Sequence, residues 1–223
     1  ATSSINFNIV EDLGGGMRAQ AMVQLQPSAL IDSATGTLTR NQVFLGLTGG
    51  FGQIRFGSIN TGSLDAALAG SSLGTAVGSG FGQINTAVGS AVRFDNSVRY
   101  DTPRVNGFNA NATYAPGNKD GGTTLAIAEI TDIGLSYAKG PLNVNISSLS
   151  RSTTNLASGA LPKSTFNSIG ANYTMGATRL FAQYGKGDKS SQTAAASTTN
   201  SVIMATTGGL DTEVTRLGAS YVM

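Results

Sequence analysis

In Phe108-Asn109-Ala110-Asn111-Ala112-Thr113-Tyr114 the residues fall into two sets by position. Phe108, Ala110, Ala112 and Tyr114 occupy one side of an extended chain, and Asn109, Asn111 and Thr113 the other. Successive side chains of a strand point to opposite faces, so the stretch presents one apolar surface and one of amides and hydroxyls. A strand of this kind stands between two different environments. The decisive question is how often the pattern recurs and what joins its copies.

It recurs along the whole chain. Ile5, Phe7 and Ile9 oppose Asn6, Asn8 and Val10, and within Met17–Gln26 the residues Ala19, Ala21, Val23 and Leu25 oppose Arg18, Gln20, Gln24 and Gln26. Arg40–Thr48, Phe51–Ser58 and Asn96–Asp101 follow. Beyond Phe108–Tyr114 come Ile127–Ala138, Leu142–Ser147, Asn167–Met175, Ala177–Lys186 and Thr212–Met223. Eleven strands are expected. Glu11–Gly16, Gly49-Gly50, Thr102–Gly107, Lys139–Pro141 and Gly176 read as short turns, because Gly, Pro and Asn supply turn geometry. Pro27–Thr39, Asn60–Val92, Ala115–Thr123, Arg151–Ser164 and Gly187–Leu210 read as long loops. Short and long connections therefore take turns. An antiparallel up-and-down transmembrane β-barrel has that plan, with short turns on one rim and long loops on the other; Greek-key connections would mix the lengths.

Composition agrees with strands set in lipid. Charged residues make up 12% of the 223, hydrophobic ones only 40%, and mean hydropathy is +0.03. No apolar run approaches the roughly 20 residues of a membrane helix, whereas alternating strands cancel in any average. The net charge of +2 and the lack of a basic run argue against a nucleic-acid partner. No charged, apolar and cleavable leader opens the chain, so a mature or truncated product is expected. All six tyrosines have apolar-face parity near strand ends. Tyr100, Tyr137, Tyr173 and Tyr221 fall toward the short-turn rim, Tyr114 and Tyr184 toward the long-loop rim. Amphipathic rings at both membrane–water boundaries would form aromatic girdles.

The chain contains no histidine and no cysteine, which removes Ser-His-Asp chemistry and the commonest metal ligands. Gly70-Ser71-Ser72-Leu73-Gly74 has the spacing of a nucleophile elbow but follows no strand-to-helix turn and has no histidine partner. Glu129 and Asp132 read as strand residues near the outer loop. Neither catalysis, a metal nor a cofactor is expected. The cations are more informative: Arg18, Arg55, Arg99, Arg179 and Arg216 have the polar parity of their strands, and Arg40 shares its parity with Gln42. Facing lipid, such an arginine costs roughly 2–4 kcal/mol at mid-membrane, so these side chains are expected in the lumen, with Asp101 placed to pair with Arg99. Arg93 closes the long loop, and Arg104 and Arg151 read as solvated.

Glu11-Asp12-Leu13-Gly14-Gly15-Gly16-Met17-Arg18-Ala19, Arg40-Asn41-Gln42-Val43-Phe44-Leu45-Gly46-Leu47, Gly52-Gln53-Ile54-Arg55-Phe56-Gly57 and Asp95-Asn96-Ser97-Val98-Arg99-Tyr100-Asp101-Thr102-Pro103 together resemble Gram-negative general diffusion porins, especially the betaproteobacterial type. The resemblance implies a sixteen-stranded barrel in the outer membrane, a homotrimer, and passive diffusion of small hydrophilic solutes and ions. On that register the chain holds strands two to twelve, so residues 1–223 are expected to be a single, incomplete β-barrel domain. It also implies that the third long loop, 60–92, folds inward as a constriction. That segment has seven glycines and one ionisable residue, Asp65. Within it Ser63–Gly70 reads as a short helix with Ser63 as N-cap, and Gly70, Gly74, Gly78 and Gly82 permit close backbone approach. The family pattern leads one to expect an arginine where Ser58 stands. With so little charge in the loop, selectivity is expected to come from the wall arginines, favouring anions. The alternative is a structural or adhesin-type barrel without an open channel.

Overall fold

The computed structural model describes residues 4–27, 38–72, 93–116, 125–126, 129–152, 154–155, 159–160, 163–188 and 211–222. In chain order the strands are β1 (Ile5–Gly14), β2 (Met17–Pro27), β3 (Leu38–Gly49), β4 (Gly52–Asn60), β5 (Arg93–Asp101), β6 (Phe108–Ala115), β7 (Leu125–Ala126), β8 (Ile130–Lys139), β9 (Leu142–Arg151), β10 (Thr154–Asn155), β11 (Gly159–Ala160), β12 (Ser164–Met175), β13 (Thr178–Asp188) and β14 (Thr212–Tyr221). A helix, α1 (Gly62–Ala69), follows β4. Eleven strands form one sheet in the order β1-β2-β3-β4-β5-β6-β8-β9-β12-β13-β14, every neighbouring pair antiparallel. The two-residue strands β7, β10 and β11 make a separate ribbon among the long connections. β1 and β14 stand at the edges of the large sheet.

The eleven long strands are those expected from alternation, with different ends. β1 runs on through Glu11 and Asp12, so the turn is Gly15-Gly16 alone. Both glycines have positive φ, 61° and 78°, which a side chain would oppose. β5 begins at Arg93, and Arg151 and Ser164 belong to strands rather than to the loop between them.

The large sheet is curled. Arg99 on β5 reaches Asp65 on α1, and Arg216 on β14 reaches the Ala67 carbonyl two residues further along the same helix. From β5 to β14 the sheet order counts seven strands, which laid flat would span about 29 Å at the usual strand spacing. An eight-residue helix is only about 12 Å long. Both contacts exist because the sheet wraps around the helix. Its concave side carries Arg99, Asn111, Thr113, Asp132, Ser147, Ser168 and Asn172, all buried, while Leu45, Phe56, Ile133, Leu135, Ile146, Leu180 and Leu217 are exposed on the convex side.

Thr61, not Ser63, is the N-cap of α1: its hydroxyl accepts the Leu64 amide at 3.1 Å. The Gly70 amide closes the other end on Ala66 O at 3.2 Å. Close approach to the wall depends on Gly170 of β12, where an added Cβ would lie 1.8 Å from the Ala66 carbonyl oxygen. Gly70 approaches the wall similarly, its missing Cβ 2.5 Å from that of Gln183. The other glycines of the four-residue repeat lie outside the described residues, as does the rest of the segment 73–92.

Gly170→Ala is therefore expected to unseat α1 and destabilise the folded protein by about 1–3 kcal/mol, the usual cost of overpacking. Gly50→Ala, with open space around the site, serves as the control. Thermal unfolding of the two variants in detergent measures the difference.

Candidate functional site

Four of the charged residues singled out in the sequence form one cluster beside α1. Arg99, 5% exposed, donates through Nε to the two Asp101 oxygens at 3.0 and 3.1 Å and through Nη2 to Asp101 at 2.8 Å and Asp65 at 2.8 Å. Its Nη1 donates to the Asn60 carbonyl at 2.8 Å. Arg55 donates to the second Asp101 oxygen at 2.6 Å and lies over the Phe44 ring at 5.4 Å. Register explains the meeting: Arg55 is directly opposite Arg99, and Gln53 opposite Asp101. Two arginines side by side on neighbouring strands repel, and the two carboxylates compensate them.

Arg179 and Arg216 approach from the far end of the sheet. Arg179 is exposed and donates to Asn172 Oδ1 at 2.7 and 3.1 Å, with its guanidinium 5.2 Å from the Phe181 ring centre. Arg216 donates to Gln183 at 2.6 Å and to the Ala67 carbonyl at 3.0 Å. Arg18 keeps the parity of Gln20 but sits exposed at the short-turn rim, opposite Asp12 and Thr48. Beside α1 the concave wall borders an open cavity of about 450 Å³ whose lining includes Asp65, Arg99, Asp101, Arg179 and several asparagines.

Arg40 and Arg93 are placed differently from the sequence expectation. The β2–β3 register slips between Val23 and Leu25, so Arg40 faces Leu25, an outward residue, and ion-pairs with Asp95 at 2.7 Å where both side chains are more than half exposed. A bulge resets alternation, and counting in twos from Gln42 crosses it unnoticed. A second slip occurs in β5 at Asp95-Asn96, where Asn96 adopts φ 53°. Beyond it Phe94 packs inward and Arg93, opposite Asn60, donates to Asn41 at the long-loop rim. Arg151 also differs: it is buried at the end of β9 rather than solvated. Arg104 donates to Gly107 O and Asn109 Oδ1.

The residue that sequence reading passed over is Asp132. It is 0% exposed and accepts the Ser63 amide at 2.9 Å and the Ser63 hydroxyl at 3.3 Å. The hydroxyl chain continues from Ser63 to Ser147 and on to Ser168, 3.0 Å at each step. Asn172 completes the seat by donating to Ala69 O at 2.8 Å. A carboxylate at a helix N-terminus meets free amides and the positive end of the helix dipole. The available signal was parity, since Asp132 alternates against Ile133 and Leu135 and so faces inward. Of the G-x-S-x-G stretch, Gly70 caps α1 and Ser71 is buried.

The Gram-negative porin family matches residues 1–223. The chain belongs to that family. It is 34% identical over 139 residues to the major outer membrane protein P.IB of Neisseria gonorrhoeae, a match covering 60% of this chain and 37% of that protein. It is 28% identical over 192 residues to outer membrane porin protein 32 of Delftia acidovorans, covering 81% and 53% respectively. Among solved structures, an anion-selective porin from Comamonas acidovorans superposes with a TM-score of 0.54 at 22% identity, over 84% of this chain and 69% of that one. Salmonella typhi OmpF, in complex with daunomycin, gives 0.64 at 14%, over 82% and 57%. Both likenesses are of fold. The chain spans 37% to 53% of the length of these curated relatives.

Family membership places this porin in the outer membrane of a Gram-negative bacterium. Its convex face is then the lipid face. All six tyrosines stand on it: Tyr100, Tyr114, Tyr173, Tyr184 and Tyr221 are exposed, and Tyr137 packs on Phe108 with ring centres 4.5 Å apart. Two hydroxyls have polar partners, Tyr100 on the Phe51 carbonyl at 2.6 Å and Tyr184 on Glu213.

Asp132→Ala leaves the buried Ser63 amide without its acceptor, a loss of about 1–3 kcal/mol. Asp132→Asn keeps one carbonyl oxygen and is expected to fall between the two. Thermal unfolding, together with the rate at which the Ser63–Leu64 backbone amides exchange hydrogen, checks the order.

Proposed function

We propose that this porin forms a water-filled channel for passive diffusion of small hydrophilic solutes and ions across the outer membrane, as a homotrimer, without cofactor or energy source. The observation that carries this reading is the concave face itself, where a cavity of about 450 Å³ is lined mainly by asparagine, aspartate and arginine side chains. A barrel filled for structural purposes would leave no such open polar space on that face. The homotrimer rests on the family resemblance. α1 narrows the channel, held against the wall by Asp132, Asn172 and the closeness permitted at Gly170.

The anion preference we infer is modest and its source is specific. In the four-residue cluster two guanidinium charges are matched by two carboxylates, so Arg55 and Arg99 contribute little field in the lumen. Arg179, like Arg104, is different: each is exposed and lines the cavity, and the hydrogen-bond partners, Asn172 for Arg179 and Asn109 and the Gly107 carbonyl for Arg104, are neutral. A lone charge about 6 Å from a passing ion in water is worth about 0.5 kcal/mol at 0.1 M salt. The anion is favoured and the cation disfavoured by that amount, so the difference is about 1 kcal/mol, roughly a fivefold bias in anion over cation passage.

Planar-bilayer recording of the complete protein tests both statements. Stepwise ohmic channels are expected, with a reversal potential in a potassium chloride gradient displaced toward chloride. Arg179→Gln should lower the anion-over-cation permeability ratio roughly fivefold, on the Coulomb estimate above, and do so more than the charge-balanced pair Arg55→Gln/Asp101→Asn. Absence of channels overturns the diffusion reading; cation preference in the unaltered protein overturns the charge assignment alone.

A further inference from the structure

The cavity floor carries an ordered set of amides flanked by two arginines. Asn109, Ser136 and Asn145 lie opposite one another in successive strands, and Asn143 lies opposite Asn172 in the next inward row toward the short turns. Neighbours in a row are therefore spaced by about 4.8 Å and successive inward rows by about 6.7 Å. Arg104 is fixed to Asn109 Oδ1 at 3.0 Å and to the Gly107 carbonyl at 2.7 Å. Arg179 is fixed to Asn172 Oδ1 and backed by Phe181. Both arginines and these four asparagines line the same cavity.

Each arginine has five N–H donors and spends only some of them on these neutral acceptors. Asn145 Nδ2 donates to Asn143 Oδ1 at 3.2 Å, which leaves the Asn145 carbonyl and the Asn143 amino group open toward the cavity among the described residues. The two carboxylates that share the lining, Asp65 and Asp101, are held by Arg99. The floor thus offers a planar cationic fork beside alternating acceptors and donors. A carboxylate matches the fork. A hydroxyl, donor and acceptor at once, matches an amide edge that presents both. A simple halide uses only the donors, and an alkyl chain uses neither.

We propose that this floor is a binding subsite for small hydroxylated carboxylates, with the carboxylate on Arg179 or Arg104 and the hydroxyls on Asn143 and Asn145. The proposal rests on the diffusion reading and names the solute class that the pore would retain longest. It makes the pore a selective path as well as an open one, since weak binding raises local occupancy while still permitting exit.

The test compares three probes of similar size on the detergent-folded complete protein by calorimetry: gluconate, hexanoate with the same charge and no hydroxyls, and sorbitol with hydroxyls and no charge. Gluconate is expected to bind roughly threefold to tenfold more tightly than either, the value of one net hydrogen bond. Asn145→Ala should remove most of that advantage without altering hexanoate, and Arg179→Gln should weaken both acids. Equal affinity of gluconate and hexanoate overturns the amide role, and equal affinity of gluconate and sorbitol overturns the arginine role. Bilayer recording is kept separate: a gluconate-bound protein that forms no channels would overturn the diffusion reading while leaving the subsite standing.

Discussion

The hydrogen bond from the Ser63 amide to the Asp132 carboxylate joins two parts of the chain 69 residues apart, and the geometry of the concave face follows from it. A short helix has no stability of its own in water, because the first turn fixes several residues for one hydrogen bond. Here the end that most needs acceptors is given one from the wall. Ser147, backed by Ser168, then donates to the Ser63 hydroxyl, Asn172 donates to the Ala69 carbonyl, and Gly170 lets the helix backbone approach the wall. The wall is correspondingly poor in large side chains beneath the helix. Were β12 to carry a side chain at position 170, the same hydrogen bonds would have to stretch across an added layer of carbon.

Alternation made most of this fold legible. Eleven strands, the sorting of their connections into short and long, and the lumen parity of Arg55, Arg99, Arg179 and Arg216 all follow from a period of two, which any strand between lipid and water must obey. What alternation cannot carry is an irregularity. At Asn41-Gln42 and again at Asp95-Asn96 two residues oppose one, and each slip inverts the meaning of parity beyond it. Arg40 and Arg93 lie past those slips. Asn96, in the left-handed region that asparagine tolerates better than most residues, was the sole local hint.

The helix shows a second limit. Its existence was legible from Ser63–Gly70, but its cap was not, because Thr61 and Ser63 are both acceptable N-cap residues. The wall decides between them. Asp132 takes the amide and hydroxyl of Ser63, and Thr61 takes the remaining role two residues earlier. A long-range partner settled what local preference left balanced, and the strand that supplies it, β8, lies beyond three further strands in the sequence.

The charges illustrate a third. From sequence, Arg55, Arg99 and Arg179 are equivalent: one guanidinium each on the polar parity of a strand. In the structure they divide by burial and by partner. Removing a buried guanidinium from water costs several kcal/mol unless carboxylates and carbonyls surround it, and Arg99 is surrounded by Asp65, Asp101 and the Asn60 carbonyl. Such a group holds β4, β5 and α1 together and has little field left for a passing ion. Arg179 retains its hydration on the cavity side and its stacking on Phe181, so its charge remains unpaired by any carboxylate among the described residues. Counting arginines in the wall overstates its positive potential, because the carboxylates beside α1 cancel the cations nearest to it. Structural rigidity and the selectivity we propose therefore fall to different arginines of one wall.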